Sequence, residues 1–459
     1  MQSTHARTDA LNIARPVSEL VPKASLWETL AVMGDVFLPT IAKGVIIRRP
    51  AILALAERFD LDRRAIRRMQ RLRNKYGTGP LMIDLFGRRL VLLFDPAHVH
   101  RVLAETPAPF ATSTLEKRAA LAHFEPKNVL LSQGQDRVER RRFHEQVLDT
   151  DRAVHRLVER FVQVVADETR RMRQEFRRGG VLTWDIFSSA WSRIVRRVVF
   201  GDAASEDHEI SAAMARLRSA GNWAFLRPQR VDLREQLFDR IRRYLARAER
   251  GSLMQRAAEI YIPGQVAPEQ QIPQWLFAFD GAAMATFRSL ALLGSHPEAA
   301  RRARDEAASH NSKGTDSLPF LRSTVLESIR LWPTSPLILR ETLADTTWES
   351  GVVPAHSGIV IYAPFFHRDD ESLPYANRFS PELWADEDSV HQWPLIPFSE
   401  GPAVCPGRHL VVLISTAVLA GLLEEGGIRL LPPARITSGR PLPATANHFR
   451  LRFSLEPGA

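Results

Sequence analysis

The only cysteine of this 459-residue chain, Cys405, lies in a loop rich in glycine and proline that covers residues 397–407. A lone cysteine forms neither an internal disulfide nor a cysteine-based zinc site, which leaves an inert buried thiol, a nucleophile or a thiolate ligand to a metal cofactor. Gly401 and Gly407 let a flat partner approach the backbone, the helix predicted directly after the loop favours a thiolate through its dipole, and Phe398 can shield the sulfur from water. This position favours a metal ligand, although the inert thiol remains open.

A second candidate for chemistry is Asp280, which lies in a long helix predicted at residues 274–295. That helix is apolar on nearly all sides, as is typical of a helix at the centre of a protein. A buried carboxylate is costly unless it has a partner or a chemical task. Asp280 is therefore predicted either to take part in chemistry or to form a salt bridge with an arginine from a neighbouring helix.

Two charged pairs have helical spacing. Arg137 and Arg141 are four residues apart, so both side chains leave one helix face and could reach the same anion, although a solvated basic face is the ordinary alternative. Glu327 and Arg330 are three apart in a helix predicted at residues 319–331, and such a pair on a surface contributes only about 0.3–0.5 kcal/mol. Spacing alone assigns neither pair a function.

The elements that position these residues are predicted to be mainly helices with a few strands. Residues 81–94 form two strand-like runs around Gly87 and predict a β-hairpin, and Leu337 to Thr342 alternates like a strand. No internal repeat is visible. The pattern favours a single domain over residues 26–459, preceded by a loosely ordered polar arm at residues 1–25.

The composition indicates an ordinary globular protein, with 45% hydrophobic and 25% charged residues and a net charge of +10. No zinc finger, RNA-binding motif or basic tail accompanies this charge, so no nucleic acid partner is expected, and a positive patch suits an acidic electron-transfer protein better. Residues 26–47 contain no run of about 18 apolar residues, which leaves packing on the body or, at most, a peripheral membrane contact. The lack of a clear export signal and of disulfides predicts a cytoplasmic protein.

The cysteine loop resembles the haem-binding loop of the cytochrome P-450 family, whose pattern is Phe-x-x-Gly-x-Arg/His-x-Cys-x-Gly. Phe398, Gly401, Cys405 and Gly407 match this pattern in register, whereas Ala403 stands where the family has arginine or histidine. The resemblance implies that Cys405 is the thiolate ligand of haem b, iron protoporphyrin IX, and that the other three matching residues lie beside the cofactor.

Further segments resemble other parts of the family in the same order along the chain. The run that starts at Glu327 resembles the family's K-helix, and the segment around Arg378 resembles the segment that follows it. Glu327, Arg330 and Arg378 are thereby implied to form a buried structural triad. The residues that match family contacts to the haem propionates are Arg137, Arg141 and Arg340. The residues implied to line the substrate pocket are Phe277, Phe279, Leu337, Ile338 and Thr445.

Residues 277–281 align with the family's I-helix, where the pattern Ala/Gly-Gly-x-Asp/Glu-Thr lies over the haem. The acid is kept as Asp280, but Gly281 replaces the threonine, and these two positions are the implied catalytic ones. In the family the threonine hydroxyl assists proton delivery for O–O cleavage. Three explanations remain: a substrate hydroxyl or ordered water replaces the threonine, the enzyme uses peroxide, or the reaction is not a simple hydroxylation.

The resemblance implies a cytochrome P-450 fold, mainly α with small β-sheets. It also implies a haem-thiolate monooxygenase that oxidises an apolar small molecule with O2, in secondary metabolism, with electrons from a separate ferredoxin- or flavodoxin-type donor. An atypical haem-thiolate enzyme that uses peroxide, couples or dehydrates its substrate is an alternative, and a non-catalytic haem-based sensor is another.

Overall fold

The computed structural model describes residues 19–456 except residues 86, 263, 310–317, 386–394 and 425. Helices dominate the described part and the strands form small sheets, which confirms the predicted fold class. The helices are α1 (Leu26–Val32), α2 (Leu38–Ala42), α3 (Pro50–Arg58), α4 (Leu61–Tyr76), α5 (Pro96–Ala104), α6 (Leu115–Leu121), α7 (Gly134–Val147), α8 (Val158–Gly179), α9 (Trp184–Phe200), α10 (His208–Gly221), α11 (Val231–Arg247), α12 (Leu253–Ile260), α13 (Ile272–Ser295), α14 (Pro297–Ser309), α15 (Pro319–Leu331), α16 (Ala363–Arg368) and α17 (Arg408–Leu423). The strands are β1 (Leu81–Leu85), β2 (Arg88–Leu92), β3 (Phe110–Ala111), β4 (Leu182–Thr183), β5 (Leu337–Thr342), β6 (Thr346–Trp348), β7 (Gly351–Val353), β8 (Gly358–Tyr362), β9 (Gly427–Leu430) and β10 (Arg452–Glu456).

The largest sheet has five strands in the order β1-β2-β8-β5-β3, and two smaller sheets have the orders β4-β10-β9 and β6-β7. The β1–β2 hairpin pairs Leu85 with Arg88, so the chain turns where the sequence predicts it. Strand β5 was also predicted, and it pairs antiparallel with both β8 and β3. Strand β5 contains Arg340, which belongs to the candidate site described below.

Helix α13 runs through the largest hydrophobic core and is buried along most of its length. It begins two residues before the predicted start and ends at Ser295 as predicted. In the described part of the chain, one helical stretch, residues 268–295, is long and apolar enough to cross a membrane, and 72% of its apolar window is buried. An apolar helix enclosed in this way belongs to a protein core.

The beginning of the described chain packs on the sheets, although the sequence places it in the loosely ordered arm. Residues 1–18 of that arm lie outside the described residues. Val21 and Ala24 are buried, and they donate their N–H groups to carbonyls of β7 and β1 at 3.1 and 2.8 Å. The arm predicted for residues 1–25 is therefore wrong for residues 19–25, because backbone pairing with distant strands holds them.

Residues 26–42 are helical, with a π-helical turn, Met33–Phe37, between α1 and α2. One face of this segment packs on the body through Val32 and Val36, which are buried. Its other face exposes large apolar side chains, which are Leu26, Trp27, Leu30, Leu38 and Ile41. The structure shows the packing alternative, and a peripheral membrane contact of the exposed face stays a prediction.

Candidate active site

The loop before α17 holds the Cys405 sulfur through backbone contacts. The N–H of Cys405 donates to the carbonyl of Phe398 at 3.0 Å, and the N–H of Gly407 donates to the sulfur. Gly401 has a φ of +69°, and a Cβ there would lie 2.2 Å from the carbonyl oxygen of Leu103, so only glycine fits. At Gly407 a Cβ would meet one side-chain carbon at 3.7 Å, so protein packing does not require glycine there.

The electrostatic surroundings of the Cys405 sulfur have opposing effects. Burial raises the pKa of the thiol above its usual value, whereas the Gly407 N–H and the cations Arg141 and Arg408 act in the opposite direction. Arg141 donates to the carbonyl of Val404 at 2.7 Å and forms an ion pair with a glutamate one turn along α7 at 2.6 Å. Its described contacts therefore support the cysteine loop, and they do not bring it together with Arg137 on one anion.

Three cations, Arg137, Arg340 and Lys117, form a cluster whose described hydrogen bonds go to neutral acceptors. Arg137 and Arg340 each donate to a threonine hydroxyl, at 3.2 and 3.0 Å, and Lys117 donates to two carbonyls at 2.9 Å. Burial and Arg137 lower the pKa of Arg340 to about 10. Burial and the two arginines hold the pKa of Lys117 well below its usual value. The neighbouring Glu116 pairs with Arg88, so the cluster is suited to a ligand with two negative charges.

Sequence reasoning identified two members of this cation cluster and missed Lys117. The lysine lies in α6, within a stretch whose sequence shows no helical or strand periodicity of its own. Nothing in the local pattern distinguishes it from a surface lysine. Its role becomes visible only because the fold brings α6 against β5, where Lys117 reaches the carbonyl of Leu339.

The carboxylate of Asp280 forms a salt bridge with Arg218 of α10. The Asp280 side chain is 49% exposed, whereas the Arg218 side chain is buried. Arg218 also lies over the ring of Phe277, 5.1 Å from its centroid. The structure therefore realises the salt-bridge alternative for Asp280, and the carboxylate is held in place by a partner.

The space beside Gly281 is taken by a residue from another segment. A Cβ at position 281 would lie 3.2 Å from Oγ1 of Thr334, which follows α15. The Thr334 hydroxyl makes no hydrogen bond to another residue of the described chain. A threonine hydroxyl thus lies next to this turn of α13, and the sequence of α13 gave no indication of it.

The two phenylalanines predicted for the substrate pocket lie on different sides of α13. Residues two apart on a helix are separated by about 200° around its axis, so Phe277 and Phe279 cannot line one pocket. Phe279 is buried in the helical core, where its carbonyl accepts a hydrogen bond from Trp191 at 3.0 Å. Phe277 lies on the Gly281 side of the helix and stays a pocket candidate.

The remaining pocket candidates are also separated by the fold. Leu337 and Ile338 are adjacent in β5 and therefore point to opposite faces of the sheet, so the two do not share one wall. Thr445 is buried beside α4, where its hydroxyl donates to Asp62 at 2.7 Å. Thr445 lines a cavity that is described below.

The structure brings together two of the three side chains of the predicted triad. Glu327 and Arg330 form a bidentate, fully buried pair with distances of 2.6 and 2.7 Å. The side chain of Arg378 is exposed, and only its carbonyl takes part, as an acceptor from Arg330 at 2.8 Å. The prediction for the Arg378 side chain is wrong, because Glu327 accepts instead from the Ser380 N–H at 2.8 Å and from Trp384 Nε1 at 3.0 Å.

Comparisons with known proteins agree with this fold. The family model described as "Cytochrome P-450" matches residues 50–252 and 276–430. Probable cytochrome P-450 4s3 of Drosophila melanogaster is 30% identical over 160 residues, which is 34% of this chain and 32% of the relative. Cyclooctat-9-en-7-ol 5-monooxygenase of Streptomyces melanosporofaciens is 32% identical over 149 residues, which is 31% of this chain and 32% of the relative. The chain thus spans about a third of the length of these curated relatives.

Among solved structures, the retinoic acid-bound cyanobacterial CYP120A1 has a similar fold, with a TM-score of 0.68 and 17% identity. The alignment covers 84% of this chain and 93% of that chain. At this identity the likeness concerns the fold. The family model, which matches most of the chain, assigns it to the haem-thiolate class of proteins. The chain belongs to the cytochrome P-450 family.

Proposed function

We propose that the protein is a haem-thiolate monooxygenase that inserts one oxygen atom of O2 into an apolar small molecule. The reaction consumes O2, two electrons and two protons, and it yields the hydroxylated product and water. The observation that carries the proposal is the pairing of a rigid cysteine loop with a cation cluster that has no carboxylate partner in its described hydrogen bonds. Two relatives whose names include monooxygenase support it.

The residues present fit haem b. The Cys405 sulfur, which the backbone holds in place, offers a soft ligand to iron. Protein packing does not explain the glycine at position 407, so its missing side chain leaves room that a cofactor can use. Arg137, Arg340 and Lys117 offer nitrogen donors to the two propionates, and anionic ligands there would favour the charged form of Lys117. When bound, haem supplies the iron at which O2 is reduced, and a thiolate ligand favours heterolytic O–O cleavage.

The protein's own groups then have separate tasks. The Gly407 N–H stabilises negative charge on the sulfur, and Arg141 holds the loop that carries it. Phe277 contributes an apolar side chain on the Gly281 side of α13. Gly281 stands where the family has a threonine, and the Thr334 hydroxyl lies beside it. This hydroxyl can therefore hold a water and pass a proton.

Replacing Arg340 with glutamine is expected to weaken haem retention. A charge-assisted hydrogen bond contributes about 1.5–3 kcal/mol, so haem transfer to excess apomyoglobin should become about tenfold faster or more. The change in Soret absorbance measures this rate. Arg67→Gln, at an exposed position on α4, is the control and should leave the rate unchanged. Equal rates for the two variants would show that Arg340 does not hold the cofactor.

Replacing Thr334 with valine is expected to uncouple electron use from product formation. Product formed per NADH should fall about tenfold, less than the 10²–10⁴-fold of a direct proton donor, because this hydroxyl acts through water. Hydrogen peroxide release, measured beside NADH consumption, reports the uncoupling. Thr334→Ser keeps a hydroxyl and should retain most of the coupling. Valine and serine variants with equal coupling would remove Thr334 from the relay.

The activity itself can be tested with a panel of terpenoids, steroids and fatty acids. Compounds that shift the haem spin state are incubated with reduced ferredoxin or flavodoxin under ¹⁸O2. Incorporation of one labelled oxygen atom, detected by mass spectrometry, is the expected result. Product without label from O2 would contradict the monooxygenase proposal.

A separate acidic electron donor of the ferredoxin or flavodoxin type is part of the proposal. The net charge of +10 supports an acidic partner, and Arg141 and Arg408 concentrate positive charge near the cysteine loop. We also propose a cytoplasmic enzyme of secondary metabolism, in line with the named relative that acts on cyclooctat-9-en-7-ol.

A peroxide-dependent reaction is the second candidate. The observation that favours it is Gly281, which removes the usual alcohol from α13, together with the engagement of Asp280 by Arg218. The ¹⁸O experiment separates the two functions. Label that enters from H2¹⁸O2 but not from ¹⁸O2 would establish the peroxide reaction.

A further inference from the structure

A cavity with a volume of about 40 Å³ lies between the N-terminal helices and the loop that follows α15. We call it the cation cavity, because its charged lining consists of Lys43, Arg48, Arg288 and a single carboxylate, Asp62. Since one water needs at least about 10–15 Å³ of such volume, the cavity holds about three water-sized atoms. That is the size of a carboxylate group.

Asp62 and Lys43 neutralise each other within this lining. They form a salt bridge, and Asp62 also accepts from the hydroxyl of Thr445 at 2.7 Å. Burial works against the charged carboxylate, but Lys43, Thr445 and Arg48 together hold the pKa of Asp62 below its usual value. Asp62 is therefore charged and already occupied by its own partners.

The guanidinium of Arg288 is buried, and its described hydrogen bonds go to carbonyl oxygens. Its two terminal nitrogens donate to the carbonyls of Trp332 and Ala446 at 3.1 and 3.0 Å, and its Nε has no hydrogen-bond partner in the described protein. Burial and the nearby Arg48 lower the pKa of Arg288 to about 9. Glu57 acts on Arg288 from outside the lining, but it accepts from a backbone N–H at 3.0 Å instead.

Arg48 is the second arginine of the cavity lining, and its described hydrogen bonds also go to carbonyl oxygens. Its guanidinium donates to the carbonyls of Gly44 and Thr334, the latter at 2.6 Å, and it forms no salt bridge with a described residue. Two neighbouring guanidiniums thus share one small cavity with a carboxylate that Lys43 already neutralises. A buried positive charge of this kind is unfavourable until an anion joins it.

The cation cavity and the proposed site of oxidation share helix α13. Arg288 and Gly281 are seven residues apart on α13, so they lie on the same helix face about 10 Å apart along its axis. Thr334 connects the two places, because its carbonyl accepts from Arg48 while its side chain lies beside Gly281. An anchored acid could therefore extend along this face of α13.

We propose that the cation cavity binds the carboxylate of the substrate, with the free Nε–H of Arg288 as a donor and Arg48 as the second cation. This inference rests on the proposed function and narrows its substrate to apolar carboxylic acids. The oxidised carbon then lies about 10 Å from the carboxylate, the spacing of Arg288 and Gly281 along α13.

The first test uses acetate alone, with acetamide as its neutral isostere, on the haem-loaded enzyme. Acetate should raise the melting temperature relative to chloride at equal ionic strength, and acetamide should not. Arg288→Met should abolish the acetate effect, whereas Arg301→Met, at an exposed position, should keep it. Because Arg288→Met also loses two hydrogen bonds, Arg48→Met is tested beside it. Equal stabilisation of all variants by acetate would overturn the site.

The second test measures spin-state titrations with straight-chain acids of eight to sixteen carbons and their methyl esters. Acids of the right length should bind at least about tenfold more tightly than their esters, because the ester loses one buried charge-assisted hydrogen bond. Arg288→Met should reduce this ratio of affinities to about one. Equal affinity of acids and esters throughout the series would overturn this inference. The proposed function is tested separately, because the red-shifted Soret band of the reduced carbon monoxide complex does not depend on acid binding. If acetate binds without competing with the acids, the cavity serves a separate small acid, and the substrate assignment is wrong.

Discussion

Replacing Cys405 with serine is expected to abolish the red-shifted Soret band of the reduced carbon monoxide complex. The sulfur is the only thiol of the chain, and a thiolate is the ligand that shifts this band and supports O–O cleavage. Activity with any substrate should fall by more than about 100-fold, because changes behind a metal ligand already cost about 10–100-fold. A dithionite-reduced difference spectrum with and without carbon monoxide measures the first effect.

A matched control for Cys405→Ser is Thr150→Val. The Thr150 hydroxyl donates to the carbonyl of Pro406 at 2.7 Å, so this change disturbs the same loop and leaves the sulfur. The control should keep the band position with lower thermal stability. A protein without any haem spectrum would overturn the proposed function, and a spectrum of a neutral proximal ligand that the serine variant leaves unchanged would favour a haem-based sensor.

Replacing Arg330 with leucine is expected to lower the free energy of unfolding by about 3–5 kcal/mol, because it leaves the Glu327 charge buried without its partner. Both side chains of the pair are fully buried. Arg330 also donates to several carbonyls, among them those of His367 and Arg378 at 2.9 and 2.8 Å. The pair therefore joins α15 to the segments that lead to the cysteine loop. Urea unfolding followed by circular dichroism measures the change.

The control for this prediction is a pair with the same spacing on the surface. Glu298 and Arg301 in α14 are also three residues apart, but their side chains are 94% and 65% exposed. Arg301→Leu should change the free energy of unfolding by less than about 1 kcal/mol, because solvent screens exposed pairs. Similar losses for Arg330→Leu and Arg301→Leu would show that the buried pair has no special structural role.

Three features could be predicted from the sequence because their signals are local. The register of Phe398, Gly401, Cys405 and Gly407 lies within ten residues. Glycine is required at position 401 by a positive φ and by the nearby carbonyl of Leu103, and the approach of a flat partner there stays a prediction. The continuous apolar character of α13 predicted a core helix, which the structure confirms. In each case a short segment of the sequence contains the whole signal.

Three assignments were wrong, incomplete or missing because they depend on distant partners. Arg378 offers its carbonyl while Trp384 takes the place beside Glu327, and Arg141 contacts the cysteine loop. Lys117 joins the cation cluster without any local signal. For Phe279, helical spacing alone could have excluded a shared pocket with Phe277.

By itself, the sequence indicated the family, through the resemblance of short segments such as the loop around Cys405, and the mainly helical fold, through its periodicity. The role of Cys405 as an iron ligand stays a prediction. The tertiary structure alone decided which charges meet. It put Arg218 on Asp280, Thr334 beside Gly281, and Arg48 with Arg288 around the cation cavity. The physical reason is that the direction and burial of a charged side chain are set by neighbours far away in the chain, so no local pattern contains them.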